Sequence, residues 1–176
     1  MKNLIILLLL SFSCSSQTKL DTLLLNKVNE YRLSKCLSKL EWDTNLCKVA
    51  SNQSDYMSNS GHLFHEQVLS DTIYYKVNPD FADKFLKYGF HDCHVGENLG
   101  VSFSSDIDTV VDEILNAWIN SPEHNKVLLD NGVKFVGISN KPGNIIRELS
   151  FEDGDLVKVE RNVNVIWVSL EVSSEK

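Results

Sequence analysis

The chain has 176 residues, 43% hydrophobic and 23% charged, which is enough apolar material for one folded core without structural metals or many disulfides. Its formal net charge is −7, and no run of lysine or arginine interrupts the acidic balance. That balance excludes nucleic acid and electrostatic docking on anionic lipid.

Lys2 precedes an unbroken apolar run from Leu4 to Leu10. The run is far shorter than the roughly 20 residues of a spanning helix, and Lys2 supplies a positive start, so residues 1–13 read as a signal peptide. Ser11-Phe12-Ser13-Cys14-Ser15-Ser16-Gln17 resembles a bacterial lipoprotein processing site, with a small residue before the cysteine and a serine-rich tether after it. The resemblance implies lipidation of Cys14 and attachment to the cell envelope. Ser11 departs from it, because leucine is usual three residues before the cysteine, and a plain secretory cleavage is the alternative. Residues 14–21 then form the lipidated cysteine and tether, and residues 22–173 a single domain, expected to be monomeric. Outside the cytoplasm Cys36, Cys47 and Cys93 are an odd set, so one internal bridge at most is expected, with a spare thiol and no choice of pair dictated by sequence.

Leu24, Val28 and Tyr31 form a helical stripe after a candidate cap, Asp21. A second helix begins near Asp43, presents Leu46, Val49, Ala50, Gln53 and Met57, and ends at Asn59-Ser60-Gly61. In the following His62-Leu63-Phe64-His65-Glu66 the apolar pair is expected in the core, with His65 at the base of a cleft. His65-Glu66 is not the zinc-protease helix motif, which needs a histidine where this chain has Leu69. A short helix over Phe81, Phe85 and Leu86 follows Pro79 and stops at Gly89. Gly96 and Gly100 flank Glu97 and suggest a tight turn into a strand that carries the acid. The neighbouring His91, Cys93 and His94 lack the regular spacing of a zinc module and read as incidental.

Ile107, Val110, Val111, Ile114 and Trp118 recur at helical spacing and run into Ser121-Pro122-Glu123-His124. Ser121 suits an N-cap, Pro122 the first helical position and His124 the third, so the cap aims the imidazole. Val133 to Asn140 reads as a strand, Lys141-Pro142-Gly143-Asn144 as a turn, Glu152-Asp153-Gly154-Asp155 as a hairpin loop between Ile145 to Phe151 and Leu156 to Val159, and Val163 to Val172 as a final strand. With helices first and strands last, the order predicts an α+β domain whose mainly antiparallel sheet is covered by helices.

These motifs together resemble the CAP superfamily, the cysteine-rich secretory, antigen 5 and pathogenesis-related 1 proteins, in its bacterial branch. The resemblance spans roughly Leu24 to Leu170 through Leu25-Asn26-Lys27-Val28-Asn29-Glu30-Tyr31-Arg32, Leu40-Glu41-Trp42-Asp43, Phe64-His65, Gly96-Glu97-Asn98-Leu99, Trp118 with Ser121-Pro122-Glu123-His124, and Phe135-Val136-Gly137-Ile138. It implies an α-β-α sandwich whose cleft gathers His65, Glu97 and His124. Ser121 stands where many eukaryotic members have a second glutamate. A lone Glu97 cannot divide acid and base roles with a partner. Two imidazoles near a carboxylate do suit a divalent metal such as zinc, with His65 and His124 as ligands and Glu97 orienting a ring or joining the coordination shell.

Two function classes follow. In one, an exported envelope module binds a lipid, glycan, peptide, other small ligand or metal in the cleft. In the other, a metal-dependent hydrolase of peptide or peptidoglycan uses water on His65 and His124, with Glu97 as general base. No Gly-x-Ser-x-Gly nucleophile motif is present and hydrolysis is not general to the family, so the binding module is favoured.

Overall fold

The computed structural model describes residues 17–65, 81–149 and 159–176. The first helix, α1, spans Lys19–Ser34 and opens with a capping box, in which Asp21 N donates to Thr18 Oγ1 and Thr18 N to Asp21 Oδ2. Thr18 is therefore the cap, and Asp21 is its partner three residues on. The helix starts inside the stretch read as tether, because Leu20 already belongs to the buried stripe with Leu24 and Val28. Helix α2, Thr44–Ser60, opens on Asp43, whose Oδ1 accepts from Asn45 N and Leu46 N, and closes on Gly61 at φ 71°, a left-handed turn that glycine makes without steric cost. A short β1, Glu41–Trp42, lies between them, and α3 covers Phe81–Leu86.

Strand β2, Val95–Ser102, leads to α4, Ile107–Asn120, whose N-cap is Asp106, and α4 meets α5, Pro122–Leu128, at Ser121. The long strands β3, Phe135–Leu149, and β4, Val159–Ser173, complete a four-stranded sheet in the order β1-β3-β4-β2. Only β1 and β3 run parallel. The chain is thus α+β with a mainly antiparallel sheet.

The pleat sends alternate residues to two helical layers. Val136, Ile138, Val168, Leu170 and Val172 pack with Leu24, Val28, Val110, Ile114, Trp118 and Leu128 of α1, α4 and α5. On the other face α2 and α3 meet the sheet through two smaller clusters, one built on Leu46, Val49, Phe85 and Phe90, the other on Met57, Leu99, Val165 and Trp167. Three layers result, as the resemblance implied. Gly137 sets the spacing of one of them: a Cβ there would lie 2.2 Å from Leu46 C and 2.3 Å from Cys47 N, so the α2 backbone rests directly on β3.

The expected turn at Lys141-Pro142-Gly143-Asn144 is strand, paired from Lys141↔Trp167 to Asn144↔Asn164. Beyond Val136, β3 has no β1 neighbour, so among the described strands Pro142 sits on an edge, where a strand accepts proline. Gly143 serves close packing, since its Cβ would fall 2.6 Å from Trp167 Nε1. The hairpin loop assigned to Glu152 to Asp155 lies outside the described residues. Among the described residues the expected bridge is not made: no disulfide joins Cys36, Cys47 and Cys93. Their settings explain it, because Cys36 is exposed in the turn after α1, Cys47 is buried on α2 with Sγ 3.0 Å from Asp43 O, and Cys93 sits 3.6 Å from Ser173 Oγ beside β4.

Candidate functional site

The site begins at β2, an edge strand of the described sheet. Gly96 and Glu97 are its second and third residues rather than a turn before it. Gly96 is required by contact: a Cβ there would meet the Val127 and Val172 side chains at 3.2 Å. The pleat then turns Glu97 toward the α2 and α3 layer and Asn98 toward α4 and α5.

Glu97 is 5% exposed and holds a group on each oxygen. Its Oε1 lies 2.7 Å from His65 Nδ1, and its Oε2 accepts from Lys84 Nζ of α3. A carboxylate can only accept, so in this contact His65 donates from Nδ1. His65 is placed differently from expectation. Leu63 and Phe64 are 44% and 54% exposed, because Gly61 ends α2 at the surface and Gln53 Nε2, reaching from the buried face, holds the loop by Phe64 O at 2.6 Å. His65 therefore stands at the rim, its side chain half exposed.

His124 comes from the opposite layer. Its Nδ1 is 2.9 Å from Ser121 Oγ, so that hydroxyl serves the ring while making no side-chain cap bond to the α5 backbone. Asn98 Nδ2 donates to His124 O at 3.0 Å, tying the α5 start to β2. Helix α1 braces the rest of α5: Tyr31 OH donates to Asn125 Oδ1, and the buried Arg32 donates to Leu128 O and Asp130 O. The rings of His65 and His124 face each other across 6.4 Å at an interplanar angle of 29°. Burial, and then the positive field of His65, hold the His124 imidazole below its ordinary range, which favours the neutral, lone-pair-bearing form.

His65, Glu97, Ser121 and His124 thus converge at the edge of the sheet. Two further residues join them that the motif reading missed. Lys84 gave no signal, being a single lysine in a short helix. Glu171 did: it is an acid inside the apolar run Val163 to Val172, and it pairs directly across the ladder with Glu97. The view of Glu97 as a lone carboxylate is therefore corrected, since β4 supplies the second acid that α4 lacks. Glu171 is fully buried, Ser169 Oγ donates to its Oε1 at 2.8 Å, and burial followed by the charge of Glu97 pushes its carboxyl well above the usual carboxylate range.

The donors of a kind that a divalent ion uses are the two imidazoles of the site. Among the described residues no group of three or more His, Cys, Asp or Glu could hold a metal, and both Glu97 oxygens are engaged, so Glu97 orients His65 rather than ligating. The other cluster does not assemble. His94 Nε2 pairs with Asp130 Oδ2 at 2.5 Å on the surface.

Comparison with known proteins adds the following. A search of curated proteins found no match. Among solved structures, an outer surface protein from Borrelia burgdorferi superposes with a TM-score of 0.60 at 21% identity, covering 91% of this chain and 96% of its own. An extracellular protein containing a SCP domain from Bacillus anthracis gives 0.59 at 18% identity over 88% of this chain. A cysteine-rich secretory protein from Staphylococcus aureus gives 0.57 at 19% identity over 92%. The chain spans 40% of each of the latter two. The profile of the cysteine-rich secretory protein family matches residues 25–144, and the chain belongs to that family.

Proposed function

We propose that the protein is an exported, envelope-anchored binding module that takes a divalent ion at His65 and His124, and through that edge of the sheet a small ligand, lipid, glycan or peptide. One observation carries the reading: two imidazoles from opposite helical layers face each other, each with its Nδ1 fixed by a neighbour. With Nδ1 engaged on each ring, coordination of an ion would fall to Nε2, the usual coordinating atom. A bound ion supplies a Lewis-acidic anchor for an anionic or carbonyl group. Glu97 locks the His65 tautomer, Ser121 orients His124, and Asn98 fixes the backbone under it.

The hydrolase alternative asks Glu97 to take a proton from water. With His65 on one oxygen and Lys84 on the other, the carboxylate is committed to holding the site together, which favours binding over general-base chemistry. Titration calorimetry with zinc tests the reading on the mature protein. Binding to the wild type is expected near neutral pH, with most of it lost in His65→Ala and in His124→Ala while circular dichroism stays native. His94→Ala is expected to leave it unchanged. Equal affinity in all four proteins overturns the reading. Peptide or peptidoglycan cleavage that depends on zinc and on Glu97 would replace it with the hydrolase.

A further inference from the structure

The described fold begins beside Thr18, and β3 holds that point in place. Asn140 Nδ2 donates to Thr18 Oγ1 and to Asp21 Oδ1, both at 2.8 Å, so one side chain grips both members of the capping box that opens α1. Leu20, just after the cap, is buried. Unwinding the first turn of α1 to lengthen the tether would break this clamp and expose that leucine. From Cys14 to Thr18 an extended chain covers at most about 14 Å. With the lipid on Cys14, the membrane surface lies within that reach of the clamp.

The candidate site is at the opposite corner of the domain. Helix α1 runs from the clamp to Tyr31, whose OH donates to Asn125 Oδ1 next to His124, about 20 Å along its axis. Across the sheet the clamp is on β3 and Glu97 is on β2, with β4 between them. So short a tether lets the site approach the surface only if the domain lies down along α1. The flank of α1 and α4 that would then face the bilayer exposes Glu30, Asp108 and Asp112, and its Lys27 is already paired with Asp112. Acids so placed are repelled by anionic headgroups.

The tethered end differs. Strand β2 stops at Ser102↔Ile166, while β3 and β4 run on as a two-stranded ribbon, paired from Gly143↔Val165 to Leu149↔Val159. Leu149 lies about 30 Å of strand beyond Asn140, farther than the tether extends, so a domain standing on this end brings the ribbon to the bilayer. The charged residues of the ribbon, Arg147, Glu148, Glu160 and Arg161, sum to zero among isoleucine, leucine and valine. It is a neutral end on an acidic chain.

We propose that the anchored domain stands with its β3–β4 ribbon against the bilayer and its His65 and His124 site turned away, so that ligands enter from the aqueous phase and not from the membrane that holds the anchor. The proposal rests on the anchored binding module inferred above and narrows its ligand to one that is not drawn from that bilayer.

The test uses the lipidated mature protein in vesicles of phosphatidylethanolamine and phosphatidylglycerol that carry a nitroxide on the lipid headgroup. Three probes are compared, each a fluorophore on one new cysteine in a Cys36→Ser, Cys93→Ser background: Asn144→Cys on the ribbon, Glu30→Cys on the α1 flank and Lys126→Cys beside the site, all exposed positions. Quenching at the ribbon probe is expected to exceed that at either of the others severalfold. Quenching beside the site as strong as on the ribbon, or stronger on the flank than on the ribbon, overturns the proposal. Flotation separates the two inferences. A wild type that does not float with the vesicles overturns the anchor and the orientation together, whereas a protein that floats and is quenched at the Lys126→Cys probe overturns the orientation alone.

Discussion

At the scale of single residues the site is governed by what each polar atom must do once water is removed. Ser121 illustrates it: the sequence reading made it a helix cap, yet its hydroxyl lies 2.9 Å from the His124 ring and the α5 backbone goes without that bond. The same burial lowers the affinity of His124 for protons. Because its folded value lies below the unfolded one, the unfolded chain binds more protons in the window between them. Stability is therefore expected to fall as pH drops through the ordinary imidazole range, about 6.5, and to level off once the folded ring is protonated as well. His124→Gln should lack this part of the loss. Chemical denaturation of both proteins at several pH values measures the difference, and parallel pH profiles would contradict it. A divalent ion at the site competes with the same protons, so zinc affinity should also weaken toward pH 5.

At the scale of elements, two devices place His65 and His124 in register, and neither touches the site. Arg32 is buried at the end of α1, with Nε on Ser38 O at 2.9 Å and Nη1 on Leu128 O and Asp130 O at 2.7 and 2.9 Å. Arg32→Leu leaves three carbonyls without these donors and is expected to cost about 3 kcal/mol, given ~1.5 kcal/mol or more for a hydrogen bond to a charged donor, partly recovered by solvent. Gly137 works by absence. Its missing Cβ admits the α2 backbone, so Gly137→Ala must push α2 from β3 and is expected to destabilise by about 3 kcal/mol, at the upper end of overpacking costs. Urea unfolding tests both; a change below ~0.5 kcal/mol in either would refute the corresponding contact.

The elements also show what could be seen in advance. Helix α4 was legible because Val110, Val111, Ile114 and Trp118 repeat at helical spacing on a single buried face. Helix α2 was legible from Asp43 and Gly61, whose chemistry marks both ends. Strand β3 misled because Pro142 and Gly143 ordinarily punctuate a turn, and they are accepted there on an edge of the described sheet. His65, Glu97 and His124 were found because local motifs flank them. Lys84 was not, because its meeting with Glu97 is a tertiary event, and Leu63-Phe64 pointed inward only on the assumption that apolar residues after a helix turn to the core.

At the scale of the whole molecule the remaining questions concern where the protein sits and how it is held. The three thiols in the described residues have separate surroundings, so alkylation of the denatured mature chain without reductant should label Cys36, Cys47 and Cys93 completely; any protected pair would show a bridge that the fold does not predict. Attachment follows a different logic. No described helix is long and apolar enough to cross a membrane, and the net charge of −7, −8 without Lys2, gives anionic lipid nothing to attract. On the lipoprotein reading, membrane association comes from covalent lipid at Cys14, where each buried methylene contributes about 0.8 kcal/mol and more than one chain is needed for stable anchoring. Wild-type protein expressed in a bacterial host is expected in the membrane fraction, resistant to high salt and released by detergent. Cys14→Ser is expected to leave it, while retaining the folded domain's dichroism. A wild type that is already soluble after export would end the lipoprotein reading and leave plain secretion, and a Cys14→Ser protein that stays on the membrane at high salt would locate the attachment elsewhere in the chain.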